Sequence, residues 1–222
     1  MNKKGNVFFS IIIIISVIAF VSAFGYMAYY YISNFIAVKQ AEEAVDLFEQ
    51  EVAKNVITVE IDENEEESIV QEEPTAPAKT QTSNKNNTYS TYKGYSVIGT
   101  IQIPKTKIKA PIVDTVTPSS ISAAVAVLYG SGLNKVGNTV LVAHNYRNGT
   151  FFSNNKNLVE GDKVYITDTT GVKQEYTIYK TYITDETDFS YATRNTNGKK
   201  EISLSTCTTD ATKRLVILAA ES

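Results

Sequence analysis

Apolar and polar positions fall into three regimes along the chain. Residues 7–31 form a nearly continuous apolar run, with Ile11 to Ile15 at its centre, inside an uncharged stretch from Gly5 to Val38. A helix needs about 20 such residues to cross a bilayer, so a membrane anchor is predicted over 7–32. From residue 33 to about 56 the pattern changes: Phe35, Ile36, Val38, Ala41, Val45, Phe48 and Val52 recur at intervals of three and four. Glu42, Glu43, Asp46, Glu49 and Glu51 lie between them, which predicts an amphipathic helix continuing from the anchor. Its apolar face packs on a partner or on the following domain, or the helix stands exposed as a stalk. Beyond residue 91 short β-rich runs alternate with turn residues, predicting strands at 95–103, 108–113, 138–144, 162–167, 174–183, 201–207 and 213–220. Pro118 and the alanines after it predict one short helix over 119–128. Thr169, Thr170 and Gly171 supply a hairpin turn, and Gly161-Asp162 opens a strand. Many strands and few helices make residues 92–222 a mainly β domain, a barrel or a sandwich.

Charge sharpens this division. The first 90 residues carry 6 basic and 13 acidic side chains, and residues 91–222 carry 15 and 11. Six of those 13 acidic side chains follow the amphipathic helix within Glu60 to Glu67, ahead of Pro74, Pro77 and a polar tract from Lys79 to Asn87. Residues 57–91 therefore read as a disordered linker that gives the domain reach. On this reading everything before about Thr91 only localises the domain, so a chain beginning there would keep its activity. Lys3 and Lys4 before the apolar run, with acidic sequence after it, predict a cytoplasmic segment over 1–6 and an extracellular remainder, a single-pass protein of the cell membrane. Tyr26, Tyr29, Tyr30 and Tyr31 would lie at the outer interface. Val21-Ser22-Ala23 also fits a signal-peptidase site, but the apolar run continues well past it, which favours an uncleaved anchor.

The composition narrows the chemistry. With one cysteine and one histidine, the chain can form no intrachain disulfide and lacks the ligands of an ordinary zinc site. No dense basic run tracks a phosphate backbone, and the net charge is −3, so nucleic acid is not expected as a partner. Asp185, Glu186 and Asp188 cluster, but a solvated acidic loop accounts for them, and no metal or cofactor is expected. The lone Cys207 ends one predicted strand beside Thr206, Thr208, Thr209 and Asp210, polar company for a residue that usually packs as a small hydrophobe. The lone His144 ends another, and Arg214 stands seven positions after Cys207 across a turn short enough to set two strands side by side. A thiol, an imidazole and a guanidinium at strand mouths can serve as nucleophile, acid/base and anion holder. The same residues are also compatible with a packed thiol, a structural histidine and a surface arginine.

Leu204-Ser205-Thr206-Cys207 followed by Arg214-Leu215-Val216-Ile217 resembles the active-site signature of the sortases, the cysteine transpeptidases of Gram-positive cell surfaces. Ala143-His144-Asn145, with Gly149-Thr150-Phe151-Phe152 and Gly161-Asp162-Lys163-Val164, is similar to the family's histidine segment, and 97–104 resembles its opening strand. The resemblance implies an eight-stranded β-barrel with Cys207 as nucleophile, His144 as acid/base and Arg214 as oxyanion and substrate-positioning group, Lys213 being its substitute if the register shifts. It further implies contacts to substrate from Thr206 and Asn145. The partners would be secreted proteins with a C-terminal sorting signal of the LPxTG kind, and an amine of peptidoglycan or a pilin lysine that resolves the thioester. The interval between His144 and Cys207 leaves no room for the long helical insertion of class B members, and the turn before Arg214 is shorter than most of the family shows.

Reference pKa values near 8.5 for a thiol and 6.5 for an imidazole would leave only about 1% of molecules as thiolate plus imidazolium at pH 7. Either the site enriches that pair or it works through a minority form. A papain-like protease fits less well, because there the cysteine precedes the histidine and opens a helix. A membrane-tethered β-domain for adhesion or signalling, with the thiol and imidazole merely packed, and a transpeptidase fold without activity remain as alternatives.

Overall fold

The computed structural model describes residues 3–65 and 90–222, in two units, residues 1–40 and residues 41–222. The described part of the first unit belongs wholly to helix α1 (Lys3–Glu65). Over Ile11–Asn55 this helix is long and apolar enough to cross a membrane. Ile11 to Ile15, Phe20 and Phe24 are exposed on it, a surface suited to hydrocarbon rather than water. α1 also runs on past the expected end at residue 56 to Glu65. Residues 66–89 of the expected linker lie outside the described residues, and Thr91 at its end already belongs to the first strand.

The second unit begins within α1. Ala41, Phe48 and Val52 are buried in one apolar cluster with Tyr92, Val97, Val113, Ala123, Ala124 and Ala126. Val45 is fully buried at the intervening position of the same face. Three acidic residues tie this segment down: Asp46 pairs with Lys109, Glu49 accepts from Gln102 Nε2 at 3.3 Å, and Glu51 accepts from the Ser90 amide at 2.9 Å. Of the three outcomes the amphipathic pattern allowed, residues 41–52 take the one in which the apolar face packs on the domain.

The domain is one sheet of β1 (Thr91–Tyr92), β2 (Tyr95–Ile103), β3 (Ile108–Val113), β4 (Val125–Tyr129), β5 (Gly137–Val142), β6 (Lys163–Asp168), β7 (Lys173–Asp185), β8 (Lys200–Cys207) and β9 (Lys213–Glu221). Its order is β1-β2-β3-β4-β5-β8-β9-β7-β6, and the β2–β6 pairing closes β2 to β9 into an eight-stranded barrel. β3–β4 and β5–β8 pair in parallel and the others antiparallel. Ile101, Ile103, Ile112, Leu141, Ile166, Ile202, Leu204 and Ile217 fill the interior, several at the period of two that a strand requires. Gly99 has no substitute on β2: a Cβ there would lie 2.3 Å from Leu133 and 2.6 Å from the Thr167 carbonyl oxygen.

Two expectations need correction. The helix expected over 119–128 is only α2 (Pro118–Ala123), opened by a reciprocal Thr117–Ser120 capping box and closed by extended backbone at Ala124. Val125 and Ala126 then pair with Ile112 and Val113 of β3, while β5 pairs on the other side. A run that suits a helix by composition becomes a strand because two flanking strands need its backbone groups. The strand expected to reach His144 ends at Val142, so Ala143 and His144 lie in the loop that follows.

Candidate active site

The β8–β9 ladder sets Cys207 directly opposite Arg214, and Arg214 Nη1 donates to Cys207 Sγ at 2.7 Å. The intervening turn is knit by its own short side chains. The Thr208 amide donates to the Lys213 carbonyl at 2.9 Å, and the Lys213 amide donates back to Thr208 Oγ1 at 3.1 Å. Asp210 accepts from the hydroxyls of Thr208 and Thr212 and from the Thr212 amide, bonds that pull its carboxyl down to about 2. Ala211 takes the left-handed conformation, φ +61°, that so short a turn demands.

His144 is held differently. The backbone pairing of β5 with β8 stops at Val142 and Ser205, and two side chains carry it further. Thr206 Oγ1 donates to the Ala143 carbonyl at 2.8 Å, and Asn145 Nδ2 donates to the Cys207 carbonyl at 3.0 Å. The loop then folds back through the Phe152 amide, which donates to the His144 carbonyl at 3.2 Å, and an Asn145–Phe151 bridge. Arg147 and Phe151 sit at φ +61° and +47° to close it. The Tyr146 ring lies between those of His144 and Phe151, at 5.0 and 5.9 Å, and its hydroxyl donates to the Ser122 carbonyl of α2 at 3.4 Å.

Cys207, His144, Arg214 and Thr206 line one cleft of about 350 Å3. Val116, Ile121, Leu128, Phe189 and Tyr191 form its apolar walls. Leu128 enters where β4 slips register between Val127 and Tyr129, a bulge that redirects a side chain. Phe189 and Tyr191 come from the segment after β7, pinned by Asn138 Nδ2, which donates to the Tyr191 and Ala192 carbonyls at 3.0 Å. Arg194 fastens the same segment through the Tyr191 carbonyl, Ser203 Oγ and Glu201. His144 has its pKa lowered below the usual 6.5, first by burial and then by the positive charge of Arg214. The imidazole is therefore neutral at pH 7, ready to accept a proton and to return it.

The three residues expected from sequence thus share one cleft. Lys213, the substitute for Arg214, instead faces Asp185 in an exposed ion pair at 3.5 Å. Asp188 of the acidic trio accepts from Thr184 Oγ1 and the Ser190 amide, which lowers its carboxyl pKa. Asn145 does not line the cleft, and the Thr206 hydroxyl is committed to a main-chain carbonyl. Sequence reasoning missed the turn-stitching role of Asp210 and the placing of His144 by Tyr146. Only the first had a readable signal, the Thr208-x-Asp210-x-Thr212 spacing of side chains that bond their own backbone.

The family model for the sortase domain matches residues 101–222, more than half of the chain. The chain belongs to the sortase family. It is 31% identical over 124 residues to sortase A of Bacillus anthracis, a match covering 54% of this chain and 58% of that protein. Among solved structures, sortase A of Corynebacterium diphtheriae superposes with a TM-score of 0.53 at 26% identity, covering 58% of this chain and 61% of its own. A pilus-related sortase C of Group B Streptococcus gives 0.52 at 29% identity, covering 57% and 67%. The chain therefore spans about three-fifths of the first two relatives. The eight-stranded barrel expected of a sortase is the fold observed, and the matched segment contains every cleft residue named above.

Proposed function

We propose that this sortase is a cysteine transpeptidase that cleaves a C-terminal sorting signal of the LPxTG kind on secreted proteins and passes the acyl group to an amine. The observation that carries the reading is the in-register pairing of Arg214 with the Cys207 sulfur in a cleft that also holds His144. Neutral His144 takes the thiol proton and sulfur attacks the scissile carbonyl. The oxyanion that forms falls beside Arg214, which is always charged and offers further N–H donors. As the C–N bond breaks, His144 gives the proton to the leaving amine, and a thioester remains on Cys207. An incoming amine attacks the thioester, loses its proton to His144 and releases the thiol. The acceptor is an amine of peptidoglycan or a pilin lysine. Thr206 and Asn145 serve by fixing the two strand ends rather than by holding substrate. α1 anchors the protein in the membrane of a Gram-positive cell, amino terminus inside and barrel outside, where secreted substrates and wall amines meet it.

The test is a panel of sorting-signal peptides offered with glycine-type and lysine amines to the full chain in detergent. At least one pair gives the transfer product, and Cys207→Ala lowers that rate by about 1000-fold or more with the barrel still folded. No turnover by any pair, or turnover unchanged in Cys207→Ala, overturns the reading.

A further inference from the structure

α2 is too short to hold its own place. Six residues fall well below the roughly 12 to 15 that an isolated helix needs. Its surroundings must fix it, and they differ on its two sides. On one side Ala123 and the following Ala124 are buried with Ala41, Phe48 and Val52 of α1. On the other lies the cleft, and Ile121 belongs to both: it packs against the α1 cluster and lines the cleft wall. The Ser122 carbonyl accepts the Tyr146 hydroxyl, and the Tyr146 ring lies against His144. A continuous path of packed groups thus leads from Phe48 to the cleft wall and the imidazole. The contacts of Asp46, Glu49 and Glu51 with Lys109, Gln102 and Ser90 fix the register of this stretch of α1 against β2, β3 and the start of the domain.

We propose that residues 41–52 of α1 are a positioning element of the catalytic centre: packed behind α2, they hold the cleft wall at Ile121 and, through Tyr146, the ring of His144. This rests on the chemistry proposed for Cys207 and His144. It replaces the expectation that everything before Thr91 only localises the domain. A chain shortened to that point loses the support of α2 and opens the cluster around Val97, Val113 and Ala126 to water.

The test uses the full chain in detergent micelles with three substitutions: Phe48→Ala, the refilling Phe48→Leu, and Val164→Ala in the separate barrel-core cluster. Amide hydrogen exchange and peptide kinetics are read together. In Phe48→Ala, exchange over residues 118–124 and 144–147 is expected to rise at least about tenfold. The β8 and β9 amides keep their protection, and kcat/KM falls about tenfold. Phe48→Leu recovers most of both, while Val164→Ala lowers Tm without touching either segment. Unchanged exchange in the two segments, or a uniform rise across the barrel, overturns the proposal. If Phe48→Ala does not fold, Val52→Ala is judged by the same criteria. If the wild-type chain turns over no peptide, the proposed function fails, and the exchange pattern alone decides whether α1 positions α2.

Discussion

Cys207 and Arg214 occupy adjacent strands of one hairpin, paired in register, with a turn stitched by Thr208, Asp210 and Thr212. His144 sits on a loop beyond its strand, placed by Asn145, Tyr146 and Phe151 and, through Ser122, by α2. The first arrangement is local: seven residues of sequence and a backbone ladder fix the sulfur and the guanidinium. The second is assembled from side chains far apart in sequence. The comparison teaches that the thiol side is fixed by a backbone ladder, whereas the imidazole side depends on packing that a distant change can loosen.

Substitution of the groups themselves tests both sides at once and has the largest effects. His144→Ala removes the proposed proton carrier and is expected to cost about 1000-fold in transfer rate, inside the usual range for acid–base catalysis. Arg214→Ala is expected to cost about 100- to 1000-fold, roughly 3 to 4 kcal/mol of transition-state stabilisation. Arg214→Lys should recover little of it, because an ammonium lacks the planar donor fork. Steady-state kinetics on one peptide ranks the three, and a His144→Ala protein of near wild-type rate would end the assignment of that side.

A smaller change separates the two modes of construction. Asn145→Ala removes the bond from Nδ2 to the Cys207 carbonyl, the link between the histidine loop and the end of β8. One such hydrogen bond is worth about 1 kcal/mol, so Tm should move by a few degrees only. The loss is expected in kcat, about tenfold, with KM little altered. An equal loss in KM alone would make Asn145 a substrate contact after all.

The gentlest probe is titration. His144 is the only histidine, so its ring resonance reports one site without assignment. Its midpoint is expected below the ordinary 6.5, because burial and Arg214 both disfavour the cation. Arg214→Gln should raise the midpoint only part of the way, since burial is the larger cause and remains. The sign for stability follows. With the folded pKa depressed below the unfolded value, the contribution of His144 is fully present above about pH 6.5 and is lost as pH falls through the lowered folded value. Urea unfolding at stepped pH checks this, and a His144→Gln protein should lose that part of the acid slope.

Much of the barrel was legible because its strands are short apolar runs bounded by turn residues, and the limits of β2 and β3 match expectation. β4 was not legible, since Ala-rich sequence hides a strand whose state is decided by neighbours on both sides. Cys207 and His144 stood out by scarcity, and Arg214 by a spacing that a hairpin could bring into register. The directions taken by Thr206 and Asn145 were not legible. Each depends on how far the parallel β5–β8 ladder runs, which no local pattern records. The amphipathic face of α1 was visible in sequence, but its partner on α2 was not.

Intact-mass analysis tests the central claim most directly: the full chain is mixed with sorting-signal peptide and quenched in acid within the first turnover. The account predicts an adduct equal to the acyl part of the peptide, localised to Cys207, released by hydroxylamine and absent from Cys207→Ala. Peptide cleavage that proceeds with no adduct, or an adduct carried by any residue other than Cys207, would contradict it.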